Sequence, residues 1–361
     1  MKSENNNRFL GYKMNKILEN DINELISHKK YFENFINSTF LVTGATGLIG
    51  SILVKTLLRF SQKNNSNIKV YACCRKKEKF QKVFEDYFTD NLIPIFCDIT
   101  ELNISSINID YIVHGASITD SKTFVQKPVE TINIAFDGTR NLLSQCVNKN
   151  IKGFVYLSSL EVYGSFNNEE IKSVKENDYG FIDTMEVRSS YSESKRLAET
   201  LCVSYASEFK VPVKVVRLCQ TFGAGVEYND NRVFAQFARA VIENKDIILK
   251  TKGQTVRNYC YTTDSVSGIL TVLQKGNIGE AYNIANSSTT ISIVDLANLF
   301  CSFYPESNCK VVFQIDENSE KQGFNPVVKI KLNTEKLEKL GWAPKVNLEK
   351  MLKRLIEGMK E

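Results

Sequence analysis

The chain divides by the spacing of its apolar positions. Between residues 14 and 36 they recur at helix-like intervals (Ile17, Leu18, Ile22, Leu25, Ile26), which predicts a helical preface within an Asn-, Lys- and Glu-rich segment of residues 1–38. From residue 39 the pattern becomes short β-rich runs alternating with amphipathic stretches. FLVTG (40–44) is followed by IGSILVKTLLRF (49–60), IKVYACC (68–74), a polar helix, LIPIFCD (92–98) and IDYIVHGAS (109–117). Further units follow: a helix over 129–148, the run GFVYLSS (153–159), a helix over 192–209 and the run VKVVRL (213–218). This alternation predicts an α/β fold of Rossmann type, a doubly wound parallel sheet, over residues 39–222. Beyond about residue 223 the rhythm is irregular, with shorter helices over 232–243, 293–303 and 347–359. Residues 223–361 are therefore expected to form a smaller C-terminal substrate-binding lobe, with room for a strand exchanged back into the first sheet. No repeat or low-complexity linker separates the two, so a shared cleft is expected.

Composition narrows the class. The 361 residues are 43% hydrophobic and 24% charged, as in ordinary globular chains. Lys and Arg number 46 against 41 Asp and Glu; this formal charge of +5 is spread along the chain, suits a small anionic ligand and argues against nucleic acid. No window is apolar enough for a membrane span or signal peptide. The nine cysteines follow no framework spacing, which leads us to expect a reducing, cytoplasmic setting without structural disulfides. The two histidines, His28 and His114, carry no metal or triad pattern, and no metal is expected.

The first chemical signal is the run Thr43-Gly44-Ala45-Thr46-Gly47-Leu48-Ile49-Gly50, directly after the first strand and opening the first sheet helix. A dinucleotide pyrophosphate needs bare backbone at that place. Gly44 allows the tight turn, Gly47 the approach of backbone to phosphate and Gly50 the close packing of helix on strand, while the helix N-terminus adds partial positive charge. The acidic residue that usually closes the second strand is missing; Arg75-Lys76-Lys77 stands there. Arg75 could receive a 2′-phosphate, which keeps NADP open beside NAD, or simply begin a solvated helix. Asp98, closing the third strand, is placed either for the adenine or as a turn cap.

The second signal is Tyr191 and Lys195, four residues apart and so on one helix face. A phenol is a poor base at neutral pH, and a neighbouring ammonium favours its phenolate form. The strand FVYLSS ends upstream in Ser158 and Ser159, placed to hydrogen-bond a substrate hydroxyl.

From residue 39 onward the chain resembles the extended short-chain dehydrogenase/reductases, specifically the NAD-dependent epimerase/dehydratase family that acts on nucleotide sugars. The resemblance rests on TGATGLIG, HGAS (114–117), NIAFDGTRNLL (133–143), YLSSLEVYG (156–164), YSESK (191–195), RLCQTFGAG (217–225) and KLEKLGW (336–342). It implies NAD as cofactor, a nucleotide-diphosphate sugar as substrate, and a homodimer joined through the helices over 129–148 and 192–209. It implies that Tyr191 takes the proton from the carbon 4 hydroxyl, that Ser159 orients that hydroxyl, and that Lys195 depresses the phenol pKa and holds the nicotinamide ribose. Family members that eliminate water carry an Asp–Glu pair after the hydroxyl residue. Here Leu160 replaces the Asp, and Glu161 remains, as in the nucleotide-glucuronate decarboxylases, although Leu160 also replaces the small hydroxyl residue that those decarboxylases carry there. Arg188, SKRLAE, DNRVFAQF and GQTVRNYCYTTD also resemble the decarboxylases. Arg257 matches the family's phosphate-binding arginine, Gln220 stands where the family more often has Asn, and Arg232 is a second candidate for the diphosphate. Dehydration, decarboxylation and 4-epimerisation remain open at this point. So does, from another class, a dinucleotide-binding sensor without catalysis.

Overall fold

The structure is a computed structural model describing residues 15–167, 169–315 and 327–361. Residues 1–14 of the predicted preface lie outside the described residues. The elements run α1 (Lys16–Ser27), β1 (Thr39–Thr43), α2 (Leu48–Asn64), β2 (Lys69–Cys74), α3 (Lys77–Phe84), β3 (Leu92–Phe96), β4 (Tyr111–His114), α4 (Ser121–Gln126), α5 (Pro128–Cys146) and β5 (Gly153–Ser159). There follow β6 (Lys172–Val174), α6 (Ser189–Phe209), β7 (Val213–Leu218), β8 (Gln220–Phe222), α7 (Val233–Ile242), β9 (Ile247–Leu249), β10 (Val256–Tyr261) and α8 (Thr262–Lys275). The chain ends with β11 (Ala281–Ile284), β12 (Asn286–Ser292), α9 (Ile293–Phe303), β13 (Val311–Phe313), β14 (Ile330–Leu332), α10 (Glu335–Glu338) and α11 (Leu348–Lys360).

Seven strands form one parallel sheet in the order β11-β7-β5-β4-β1-β2-β3. Such strands carry near-continuous apolar runs because helices cover both faces, and β4 and β7 are accordingly buried almost throughout. The order reverses between β1 and β4, which opens a crevice at the carboxyl ends of those strands. β11, from residues 281–284, completes the sheet beside β7. The rest of the C-terminal region builds a second cluster in which α7, α9 and α11 pack over a small sheet, β12-β10-β8. Residues 330–332 return to pair with β6, so β14 and β6 tie the chain end to the segment between β5 and α6.

The preface forms one helix, α1, and then two 3₁₀ turns rather than helix to residue 36. Asn15 caps it by accepting from the Leu18 amide at 2.8 Å. Its apolar face, Leu18, Ile22, Leu25 and Ile26, joins the main core. Each such side chain contributes roughly 1.5–3 kcal/mol before the ordering cost. The polar side of α1 reaches the second lobe: Asp21 accepts from Tyr261 and pairs with Arg354 of α11 at 2.5 Å. No described helix is long and apolar enough to cross a membrane.

Candidate active site

A cavity of about 550 Å³ lies at the switch point of the sheet. One end is backbone. Gly44 sits at φ +67°, and a Cβ there would come within 2.7 Å of the Gly115 carbonyl oxygen. A Cβ on Gly50 would stand 2.3 Å from the Gly44 carbonyl oxygen, so α2 could not pack this closely on β1. Thr46, Gly47, Leu48, Ile49 and Gly50 line the cavity, and no side chain caps the first turn of α2. An uncovered helix N-terminus reached through glycine is a fitting seat for a pyrophosphate. His114, at the end of β4, closes the turn from behind: Thr43 and Thr139 hold its two ring nitrogens at 2.7 and 3.0 Å. Burial and the Lys195 charge push it down to about 3, so it is a neutral strand-end residue.

Beside the glycine turn Arg75 and Lys76 line the cavity; β2 ends in Cys73 and Cys74 with no carboxylate there, and Cys97, just past β3, lies next to them. Asp98 also lines it, with one oxygen accepting from the amide and hydroxyl of Thr100 at 3.0 and 2.8 Å; the turn-cap role is the one its contacts display.

The other end is built from side chains of β5 and α6. The helix starts at Ser189, three residues earlier than expected, so Tyr191 and Lys195 both lie on its first turns. Ser159 ends β5, lines the cavity and caps the following 3₁₀ turn by accepting from the Glu161 amide at 3.2 Å. Lys195 is 3% exposed and donates to the Leu157 carbonyl at 2.8 Å. Burial lowers its pKa to about 8, against the raising influence of Glu199 and Cys202. Phe124 stacks flat on the Tyr191 ring, 4.2 Å between centroids.

Two expectations need correction. Tyr191 is not depressed in the free protein: burial, then the Glu161 charge, drive its pKa up, while Ser159 and Arg188 pull less strongly the other way. Lys195 stands 5.9 Å from the phenol ring and directs its ammonium to the backbone instead. Ser158 also lines the cavity, but its hydroxyl proton is already given to Glu199 at 2.5 Å, so it has no donor left for a substrate. Glu199 in turn holds Arg217 at 2.6 Å, which also donates to Tyr163 and to the Glu176 carbonyl. Glu199 closes the SKRLAE run and Arg217 opens the RLCQTFGAG run, but neither run marks them as site residues; their pairing shows only once α6 lies against β7.

On the wall beyond β5, Leu160 is buried and lines the cavity beside Glu161. Glu161 is neither loose nor fully exposed. A single Arg188 nitrogen contacts both its oxygens at 3.1 and 3.0 Å, and Ser192 donates to it at 3.2 Å. Arg188 lies behind that carboxylate, with its guanidinium over the Phe124 ring at 4.8 Å. Gln220 and Arg232 line the cavity; Arg232 is already bound to Asp230 at 2.5 Å. Arg257 stands apart from the cavity lining on β10, where its buried Nε has no partner among the described residues. Among those residues no cluster of His, Cys, Asp or Glu could hold a metal ion.

A doubly wound sheet with a glycine turn at its switch point, facing a serine, a tyrosine and a lysine, defines a dinucleotide-dependent α/β enzyme. Residues 40–285 match the NAD dependent epimerase/dehydratase family, and the chain belongs to it. It is thus an enzyme that works with NAD, and the glycine turn and open helix end fit that cofactor. The chain is 27% identical to UDP-glucuronic acid decarboxylase 6 of Arabidopsis thaliana, over 93% of its own length and 92% of that protein. It is 26% identical to human dTDP-D-glucose 4,6-dehydratase, over 89% of each. Among solved structures it resembles the UDP-glucuronic acid 4-epimerase of Bacillus cereus in complex with UDP-glucuronic acid and NAD, with TM-score 0.76, 23% identity and 89% and 99% of the two chains covered.

Proposed function

We propose that the protein oxidises the carbon 4 alcohol of a nucleotide-linked hexuronate, lets its carboxylate leave as carbon dioxide, and reduces carbon 4 again. Bound NAD would supply the hydride acceptor, and later donor, and add a positive charge beside the phenol. Gly44 to Gly50 would hold its pyrophosphate and Lys195 its nicotinamide ribose. Ser159 would orient the sugar hydroxyl while Tyr191 takes its proton, the added charge of the bound cofactor offsetting the burial that keeps the phenol protonated in the free protein. A ketone at carbon 4 stands β to the carboxylate, so the carbon–carbon electron pair can pass into the carbonyl as carbon dioxide departs, and the enolate left behind takes a proton at carbon 5 from solvent to restore the ketone that is then reduced. Arg232, Gln220 and, after a rearrangement, Arg257 are the groups available for the diphosphate.

Leu160 carries this reading. Loss of the carbon 6 hydroxyl as water requires a proton donor at the wall, and a buried leucine stands where dehydratases keep an acid. Departure of carbon dioxide needs no such donor, and an apolar neighbour favours it by disfavouring the charged carboxylate. The decarboxylases among the relatives support the same choice. A 4-epimerase is the second reading, favoured by the tie of both Glu161 oxygens to Arg188, since epimerisation asks nothing of that carboxylate. The exposed flank of α5, where Val129, Asp137 and Arg140 border a shallow groove with Tyr205 of α6, supports pairing of two copies.

The test is a panel of UDP-, dTDP-, GDP- and CDP-sugars, including UDP-glucuronate, incubated with protein and NAD and read by mass. A product lighter by carbon dioxide is expected. An unchanged mass with inverted carbon 4 selects the epimerase, and loss of water overturns the reading of Leu160.

A further inference from the structure

Behind the cavity a second set of groups acts on the first. Tyr191, Lys195 and Glu199 follow one another at four-residue intervals and so share one face of α6. Two of them are tied to consecutive residues at the end of β5: Lys195 to the Leu157 carbonyl at 2.8 Å and Glu199 to the Ser158 hydroxyl at 2.5 Å. The next residue, Ser159, faces the cavity. These two contacts join strand end to helix, alongside Ser192 to Glu161 and Arg196 to the Val162 carbonyl in the turn that follows, and so bear on the placing of Ser159 against Tyr191.

Glu199 is itself firmly held. Arg217, 2% exposed, engages both its oxygens, at 3.0 Å from Nε and 2.6 Å from Nη2. Arg217 is fixed in turn by the Tyr163 hydroxyl at 3.1 Å and the Glu176 carbonyl at 2.7 Å, with the rings of Tyr163 and Tyr179 against it. Such an assembly is costly to bury and is expected to serve placement more than stability.

The groups around the Lys195 ammonium are few. From α6 come Glu199, Cys202 and the Tyr191 ring; from β5, the Tyr156 ring at 4.7 Å; from β4, His114. Glu199 is the one carboxylate among them. Burial works against the ammonium, and the Glu199 charge is the largest influence opposing that loss.

We propose that Glu199 is a positioning residue: one helical turn beyond Lys195 on the same buried face of α6, its carboxylate faces the lysine's pocket and locks α6 to the end of β5 through Ser158, with Arg217 as its anchor. The proposal rests on the reading above that Lys195 meets the cofactor. It separates an outer layer that touches ligand from an inner layer, Ser158, Glu199 and Arg217, that sets the charge and register of the outer one.

The test is the affinity of NAD-stripped protein for NAD, measured by calorimetry from pH 6 to 10 without any sugar. The wild type is expected to lose about tenfold in affinity as the pH rises through about 8. In Glu199→Gln the midpoint of that fall is expected to move toward neutrality by about one pH unit, since removing a nearby opposite charge lowers a lysine pKa. Because Glu199→Gln leaves Arg217 buried without its partner and could unfold, Glu199→Asp is measured beside it, with a smaller shift in the same direction. Midpoints that stay at the wild-type value in the folded variants overturn the proposal. Lys195→Met should show no fall; if it keeps the wild-type fall, the placing of Lys195 at the cofactor fails instead.

Discussion

The two ends of the cavity work by different means. The pyrophosphate end consists of backbone, and its fitness depends on side chains that are missing: at Gly44 and Gly50 even a methyl group would meet a carbonyl oxygen at 2.7 and 2.3 Å. The opposite end consists of side chains that hold one another, Glu161 with Arg188 and Ser192, Arg232 with Asp230, Phe124 with Tyr191. A backbone seat serves any dinucleotide and says little about the reaction. We assign the choice of reaction to the side-chain wall, and to Leu160 in particular.

Three substitutions sharpen that contrast. Tyr191→Phe sits where the two ends meet and is expected to lower kcat by roughly 10²- to 10⁴-fold, the usual range for a lost proton-transfer group, with NAD affinity nearly unchanged in calorimetry. Equal losses of turnover and NAD binding would instead mean that the ring is part of the cofactor seat. Gly50→Ala strikes the backbone end alone: NAD affinity should fall at least tenfold and the protein should lose about 1–3 kcal/mol of stability in urea titrations, because the methyl must displace the Gly44 carbonyl. Wild-type NAD affinity in that variant would contradict the close packing of α2 on β1. Leu160→Asp strikes the side-chain end alone. Offered a nucleotide-linked hexose that keeps its carbon 6 hydroxyl, dTDP-glucose or UDP-glucose, it should hold NAD affinity within about twofold and form a small fraction of product lacking water, read by mass; no such product from these hexoses would show that Leu160 does not decide between the outcomes.

The same division governs what could be read in advance. The glycine turn was legible because its constraint is local: three glycines between a strand and a helix describe a backbone path by themselves. Tyr191 and Lys195 were legible for a related reason, since a four-residue spacing on a helix fixes a shared face. The Glu161–Arg188 pair spans 27 residues, and the Ser158–Glu199–Arg217 set joins two strands and a helix; only the sheet order β4-β5-β7, with α6 packed on it, brings them together. The direction of the Tyr191 shift escaped sequence reasoning because it follows from how deeply the ring is buried, which the spacing of residues does not report. Likewise the apolar face of α1 was visible in its periodicity, whereas the pairing of its Asp21 with Arg354, on the last helix, was not.

The measurement closest to the central claim follows the absorbance of reduced nicotinamide in a stopped-flow instrument when NAD-loaded protein meets UDP-glucuronate. A transient rise and decay in the wild type, absent from Tyr191→Phe, is the predicted result. Product forming without any transient, or a transient of undiminished size and rate in Tyr191→Phe, would contradict the claim that this tyrosine opens the reaction by handing a sugar alcohol over to oxidation.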